Sequence, residues 1–149
     1  MTLATQSIPS ITLDRFLTQP ETKPASEYID GSIYQKPMAQ GQHSRLQLKF
    51  CNTVNAVTED KQIALALPEL RCTFGGKSIV PDVAVFRWER LPINAEGEIE
   101  NVFSIYPDWV IEILSPEQAP MRVIGNIFCT VSNMVQRWDG YYFPKSDRC

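Results

Sequence analysis

The sequence predicts one soluble domain of the α/β class, in which short strands and an amphipathic helix share a single core. Three stretches lead to that reading. Trp109-Val-Ile-Glu112-Ile-Leu-Ser-Pro116 is apolar on both sides of one carboxylate, the pattern of a strand buried on both faces and ended by Ser115-Pro116. From Gln40 to Val57 the residues Leu46, Phe50, Val54 and Val57 recur at helical spacing, which predicts a helix with one core face. Between Glu27 and Tyr34, apolar pairs flank Asp30-Gly31, the commonest signal for a tight hairpin. A chain of 149 residues with 44% hydrophobic and 21% charged content suits one domain with a modest core.

Taken in order, residues 1 to 11 are small, polar and interrupted by proline, and form a loose lead-in. Thr12 is placed to cap a short helix with Leu13, Phe16 and Leu17 on one face, stopped by Pro20. Glu27, at the start of the hairpin, reads on structural grounds as an exposed strand-end charge. Along the following helix Arg45 and Lys49, four residues apart, share a face; with His43 they form the one basic cluster before residue 70 able to meet a phosphate backbone. A solvated face is the plainer account of them, and a lone histidine is more often structural or exposed than functional. Three strands are expected at 62–67, 70–74 and 78–86, with Gly75-Gly76 turning between the last two. Pro81 cannot donate to a ladder, so the third strand should carry an edge, a bulge or a late start there. Residues 89–106 are a polar connection with a turn at Asn94–Gly97.

Composition narrows the function. A formal net charge of −3 gives no global attraction to nucleic acid, so any such surface must be local. Cys51, Cys72, Cys129 and Cys149 have neither zinc-ligand spacing nor the density of a disulfide scaffold, which suits a reducing, cytoplasmic setting. No run is long and apolar enough for a membrane span.

The chemistry rests on two acids in apolar strands. Desolvating an unpaired carboxylate costs several kcal/mol, so Asp82, inside Ser78-Ile-Val-Pro-Asp82-Val-Ala-Val-Phe86, and Glu112 each need a proton, a basic partner or a cation. Their parallel settings suggest a shared partner. A hard divalent cation such as magnesium (Mg2+) is one choice, since it takes carboxylate oxygens and keeps several waters. Separate ion pairs with arginines are the other. Asp30 and Asp108 read only as turn formers.

The stretches Ile11-Thr-Leu-Asp-Arg-Phe-Leu17, Glu27-Tyr-Ile-Asp-Gly31, His43 with its helix, Val80-Pro-Asp82 and Val110-Ile-Glu112-Ile-Leu-Ser-Pro116 occur in an order that resembles the Uma-type restriction-endonuclease family, a bacterial branch of the PD-(D/E)XK nuclease superfamily. The resemblance implies a restriction-endonuclease-like core, a mixed sheet flanked by helices. It also implies a metal-dependent endonuclease that hydrolyses DNA phosphodiester bonds. In it Asp82 and Glu112 hold magnesium, the Ile113 carbonyl completes the shell, and Glu27 and His43 assist. One position departs from the pattern. The motif's lysine belongs two residues after Glu112, where the chain has Leu114, or on the next helix near Gly125 and Asn126; Arg122 is the nearest cation and stays charged.

After about residue 126 the resemblance ends. Reading codons from the third base turns Phe128-Cys129 into Leu, Met134-Val135 into Gly and Trp138-Asp139 into Gly, which points to an out-of-frame tail. The expected organisation is therefore a domain over 12–127 lacking part of its closing helix and strand, and a divergent, poorly ordered tail over 128–149. Two function classes follow: an impaired DNA endonuclease, or an inactive remnant or nucleic-acid-binding module of the same fold. DNA is the implied partner, with self-association into a homo-oligomer left open.

Overall fold

The computed structural model describes residues 11–114. The lead-in expected over residues 1–10, and every expectation for Ser115 onward, including the tail and Arg122, Gly125 and Asn126, lie outside the described residues.

Helix α1, Leu13–Leu17, begins at Thr12, whose hydroxyl accepts from the Arg15 amide at 3.3 Å. Only Phe16 of its apolar trio is buried, stacked at 5.6 Å on Tyr28, while Leu17 faces solvent. Strands β1, Ser26–Ile29, and β2, Ser32–Gln35, form the expected hairpin. Asp30 and Gly31 both take positive φ, 49° and 81°, as a two-residue turn matched to strand twist requires.

Helix α2, Gly41–Thr58, spans the expected segment but is rotated from the expected face. Its buried residues are His43, Gln47 and Cys51, four apart, with Phe50 and Val54 partly covered; Leu46 and Val57 are exposed. Leu46 and Val57 thus leave the core to polar residues that have buried work to do. Cys51, Phe50 and Val54 pack with Ala66, Val83, Val85 and Ile111. Asn55, one turn further on, exchanges two hydrogen bonds with the backbone of Ala66, at 2.8 and 2.9 Å, and so satisfies the outer edge of strand β3, Ala64–Pro68.

The strand expected over 78–86 divides. Strand β4, Cys72–Phe74, turns through Gly75-Gly76 into β5, Lys77–Ile79; β6, Val83–Arg87, starts after Val80-Pro81-Asp82. With β7, Trp109–Ile111, the strands form two antiparallel sheets ordered β2-β1-β5-β4 and β3-β6-β7. Proline ends the ladder of β5, and the chain passes from one sheet to the other through a buried three-residue crossing. The main core closes between the sheets: Ile29, Cys72 and Ile79 from the first meet Leu65, Ala84 and Phe86 from the second, with Phe86 and Phe103 at 5.0 Å. Burial pushes the Cys72 thiol up to about 12, so it acts as a small apolar residue. The whole is an α+β arrangement.

Two expectations change here. The Glu112 strand is not buried on both faces. Among the described residues β7 has a neighbour only on its β6 side, Trp109 and Leu114 are exposed, and Glu112 lies just past the strand's end. Asp108 is more than a turn former. Its carboxylate accepts from the Arg87 amide and Nε, both at 2.9 Å, and lies 2.7 Å from Arg90 Nη1.

Burial works against the Asp108 charge, but the Arg87 amide and the Arg90 and Arg87 guanidinium groups outweigh it and hold the carboxyl below its ordinary 3.8. A folded-state value below the unfolded one stabilises above the unfolded value, and that contribution disappears as pH falls through the folded value. Asp108→Asn should therefore cost about 1–2 kcal/mol at neutral pH, with the gap closing below about pH 4. Denaturant unfolding of both proteins across pH checks this; a gap that persists unchanged in acid contradicts it.

Candidate active site

Strand register brings the two acids together. Val83 pairs with Ile111 in the antiparallel β6–β7 ladder, so the next step outward sets Asp82, just before β6, beside Glu112, just after β7. A second pair comes from the hairpin. The Lys36 amide donates to the Ala25 carbonyl at 2.9 Å, extending the β1–β2 ladder one step beyond Ser26↔Gln35. By strand alternation Lys36 shares the face of Tyr34, which pairs with Glu27. The hairpin thus contributes a carboxylate and an ammonium to the site.

These groups meet at the crossing between the sheets. The Lys36 ammonium donates to the Val80 carbonyl at 2.8 Å, to Asp82 Oδ1 at 2.8 Å and to Glu112 Oε2 at 3.3 Å. The other Asp82 oxygen accepts from the Ile113 amide at 2.7 Å. Glu27, expected at an exposed strand end, is buried instead, and its Oε1 accepts from the Val80 amide at 2.8 Å. One turn apart on α2, Gln47 donates to the Asp82 carbonyl at 2.7 Å, and His43 Nε2 lies 3.3 Å from Asp82 Oδ1. That histidine is 9% exposed, and its Nε2 makes no hydrogen bond among the described residues, because its approach to Asp82 is off-angle.

Two acids share one cation unequally. Burial disfavours the charge of Asp82, but Lys36, the Ile113 amide and His43 overcome it and lower its pKa. Burial, reinforced by the Asp82 and Glu27 charges, pushes Glu112 up to about 8 against the attraction of Lys36. The shorter ammonium contact and the second donor explain why Asp82 keeps the charge. Burial also raises Glu27, opposed by the Val80 amide and Lys36. Lys36 itself loses hydration on burial, yet Glu112 and Asp82 raise its pKa, so it remains an ammonium.

Sequence reasoning missed Lys36 and Gln47. The hairpin held a usable signal for the lysine: a two-residue Asp30-Gly31 turn fixes the pairing, and counting outward puts Lys36 on the Glu27 face. Gln47 had none beyond its position four residues after His43. The expected basic residues of α2 lie apart from this cluster. Arg45 and Lys49 are exposed on α2, beside a shallow groove that includes Leu48, Asn52 and Val57. Ile113 meets Asp82 through its amide, and Leu114 is an exposed apolar side chain.

Among the described residues no three His, Cys, Asp or Glu side chains close around a common metal position. What exists is a pair of carboxylates bracketing one cation, beside a histidine whose Nε2 makes no hydrogen bond among the described residues. That donor set fits a hard divalent ion that keeps several waters, not a cage of protein ligands.

Comparison with known proteins places the chain in a family. The family Uma2, described as "Putative restriction endonuclease", matches residues 13–136, and the chain belongs to that family. The match runs about ten residues past residue 126, where the resemblance was expected to end. Among solved structures, a crystal structure described as "a putative nuclease belonging to DUF820" from Anabaena variabilis ATCC 29413 is 54% identical, with a TM-score of 0.78 over 82% of this chain and 68% of that one. The fold is restriction-endonuclease-like. No curated protein matches. Among the described residues no helix is long and apolar enough to cross a membrane.

The Glu27–Val80 bond separates charge from hydrogen bonding. Glu27→Gln keeps an acceptor for the Val80 amide and should leave stability within about 1 kcal/mol of the parent, whereas Glu27→Leu leaves that buried amide unsatisfied and should cost about 1–3 kcal/mol. Urea unfolding of the two variants gives the answer; equal losses would show that the charge, not the bond to Val80, is what matters.

Proposed function

We propose that this protein is a metal-dependent DNA endonuclease whose centre is Asp82 and Glu112. The observation that carries the reading is the meeting of both carboxylates on one ammonium, at 2.8 and 3.3 Å, from the ends of neighbouring strands. A position that binds an ammonium between two acids suits a small hard cation of higher charge. Membership of a restriction-endonuclease family and the Anabaena neighbour support a phosphodiester substrate.

A bound magnesium ion would polarise a phosphate oxygen and lower the pKa of a coordinated water. The chain's own residues do the rest. Asp82 and Glu112 would hold the ion, with the Ile113 carbonyl a further candidate donor, while the Ile113 amide fixes the Asp82 carboxylate. Glu27, tied to the Val80 amide, holds the carboxylate wall of the site and assists as an outer ligand or base. His43, with Nε2 unengaged, orients water or phosphate. In hydrolysis the water oxygen bonds to phosphorus, one P–O ester bond breaks, the water's proton passes to base or solvent, and the leaving oxygen is protonated.

A second reading has its own observation. Lys36 already satisfies both acids, so the cluster also works as a buried ion pair with no metal, as it would in an inactive remnant that retains the fold.

Magnesium-dependent nicking of supercoiled plasmid separates the two. The parent protein should nick DNA with magnesium and not with EDTA, and Asp82→Asn should weaken magnesium binding strongly and slow nicking by about 10²-fold or more. Magnesium affinity unchanged in a folded Asp82→Asn protein would establish the ion pair in place of a metal site.

Arg45 and Lys49 are proposed to touch phosphates, which positions DNA without reading its sequence. Replacing both with alanine should flatten the dependence of DNA affinity on salt by about two in log–log slope. An unaltered slope would mark that helix face as merely solvated.

A further inference from the structure

Lys36 stands at the centre of the site, yet its donors are fully used. An ammonium has three protons, and here they go to Val80 O, Asp82 Oδ1 and Glu112 Oε2. None is left for a phosphate. Two of the three acceptors are the oxygens that a divalent ion would take under the nuclease reading. The side chain is only 17% exposed, held on a strand-end backbone fixed by the Lys36–Ala25 hydrogen bond, so the ammonium has little freedom to leave the site altogether. The positions after Glu112 where an ammonium would be sought, Leu114, Gly125 and Asn126, have none.

We infer that Lys36 is the site's phosphate-facing cation and that it exchanges partners on metal binding. Without metal its ammonium holds the two carboxylates together and limits their repulsion. When a divalent ion binds those oxygens, the ammonium leaves Asp82 and Glu112, keeps the Val80 carbonyl as its pivot, and turns the two released protons toward the scissile phosphate. There it neutralises charge that develops on the phosphate oxygens. An ammonium suits this role better than a guanidinium, because it is a compact charge on a flexible stem. The second independent sign of a ligand here is His43, buried beside the site, whose Nε2 makes no hydrogen bond among the described residues although it lies 3.3 Å from the same Asp82 oxygen. The inference rests on the endonuclease reading, but the exchange itself is observable without DNA.

The test has three arms on the full chain. In the parent protein, the Lys36 side-chain nitrogen resonance is followed by NMR during magnesium titration; it should shift and its protons should exchange faster, and a resonance unaffected at saturating magnesium overturns the exchange. Calorimetry with magnesium alone should show Lys36→Met binding about tenfold tighter or more than the parent, since no like charge remains beside the ion; weaker binding would make Lys36 only a support for the carboxylates and overturn the inference. Plasmid nicking at saturating magnesium should fall about 10²- to 10⁴-fold in Lys36→Met, mostly in kcat, with partial recovery in Lys36→Arg. Lys36→Met that nicks at the parental rate while Glu112→Gln is dead rejects Lys36 and leaves the endonuclease reading intact. A parent protein that nicks equally well in EDTA rejects the metal-dependent reading, while the NMR arm still decides the exchange. If Lys36→Met fails to fold, Lys36→Arg and the parent titration carry the decision.

Discussion

The structure depends on a buried stretch of backbone that no sheet can satisfy. Between β5 and β6 the chain leaves one sheet for the other through Val80-Pro81-Asp82, and a polar backbone group buried without a partner costs about 1–3 kcal/mol. Side chains supply the partners. Glu27 takes the Val80 amide, Lys36 donates to the Val80 carbonyl, and Gln47, with the Glu69 amide at 3.3 Å, donates to the Asp82 carbonyl. Pro81 removes the one amide in the middle that would have needed an acceptor. Hairpin, helix and both sheets are therefore fastened to one another at a single seam.

That seam is also where the charged side chains gather, so folding and site chemistry draw on the same residues. Glu27, Lys36 and Gln47 each offer a group to the crossing, and Lys36 spends its remaining donors on Asp82 and Glu112. The arrangement is strained electrostatically: three carboxyl groups surround one ammonium, and burial pushes Glu112 up to about 8. Such a cluster is an inefficient way to hold a fold together, since well-packed apolar groups of similar volume often do as well or better. A cluster of this kind fits the proposed cation-binding centre, since buried groups with shifted ionisation are common at functional sites.

Much of this was legible from local rules. Thr12 caps its helix, Asp30-Gly31 and Gly75-Gly76 make their turns, and α2 lies where its periodicity placed it. The meeting of Asp82 and Glu112 was suggested by two acids in two apolar strands, with separate ion pairs as the alternative. Elsewhere local rules met long-range demands. The face of α2 was misjudged because apolar residues were assigned to the core, whereas exposure of Leu46 and Val57 is ordinary and the informative event is the burial of His43 and Gln47. Those two polar residues turn inward because the crossing and its carboxylate lie beneath them. The strand at 78–86 looked continuous because its apolar run hides a change of sheet, which only the proline announced. Lys36 was overlooked because an ammonium was sought close to Glu112 in sequence, while the fold brings one from the hairpin, 76 residues earlier.

The claim on which the rest turns is that the space between Asp82 and Glu112 is a divalent-cation position now filled by an ammonium. A crystal structure of the protein soaked in manganese, with data collected at the manganese absorption edge, tests it most directly. The account predicts an anomalous peak bridging the Asp82 and Glu112 carboxylates, with the Lys36 ammonium withdrawn from both and still near the Val80 carbonyl. A site with no anomalous peak and Lys36 still bonded to both acids would contradict it.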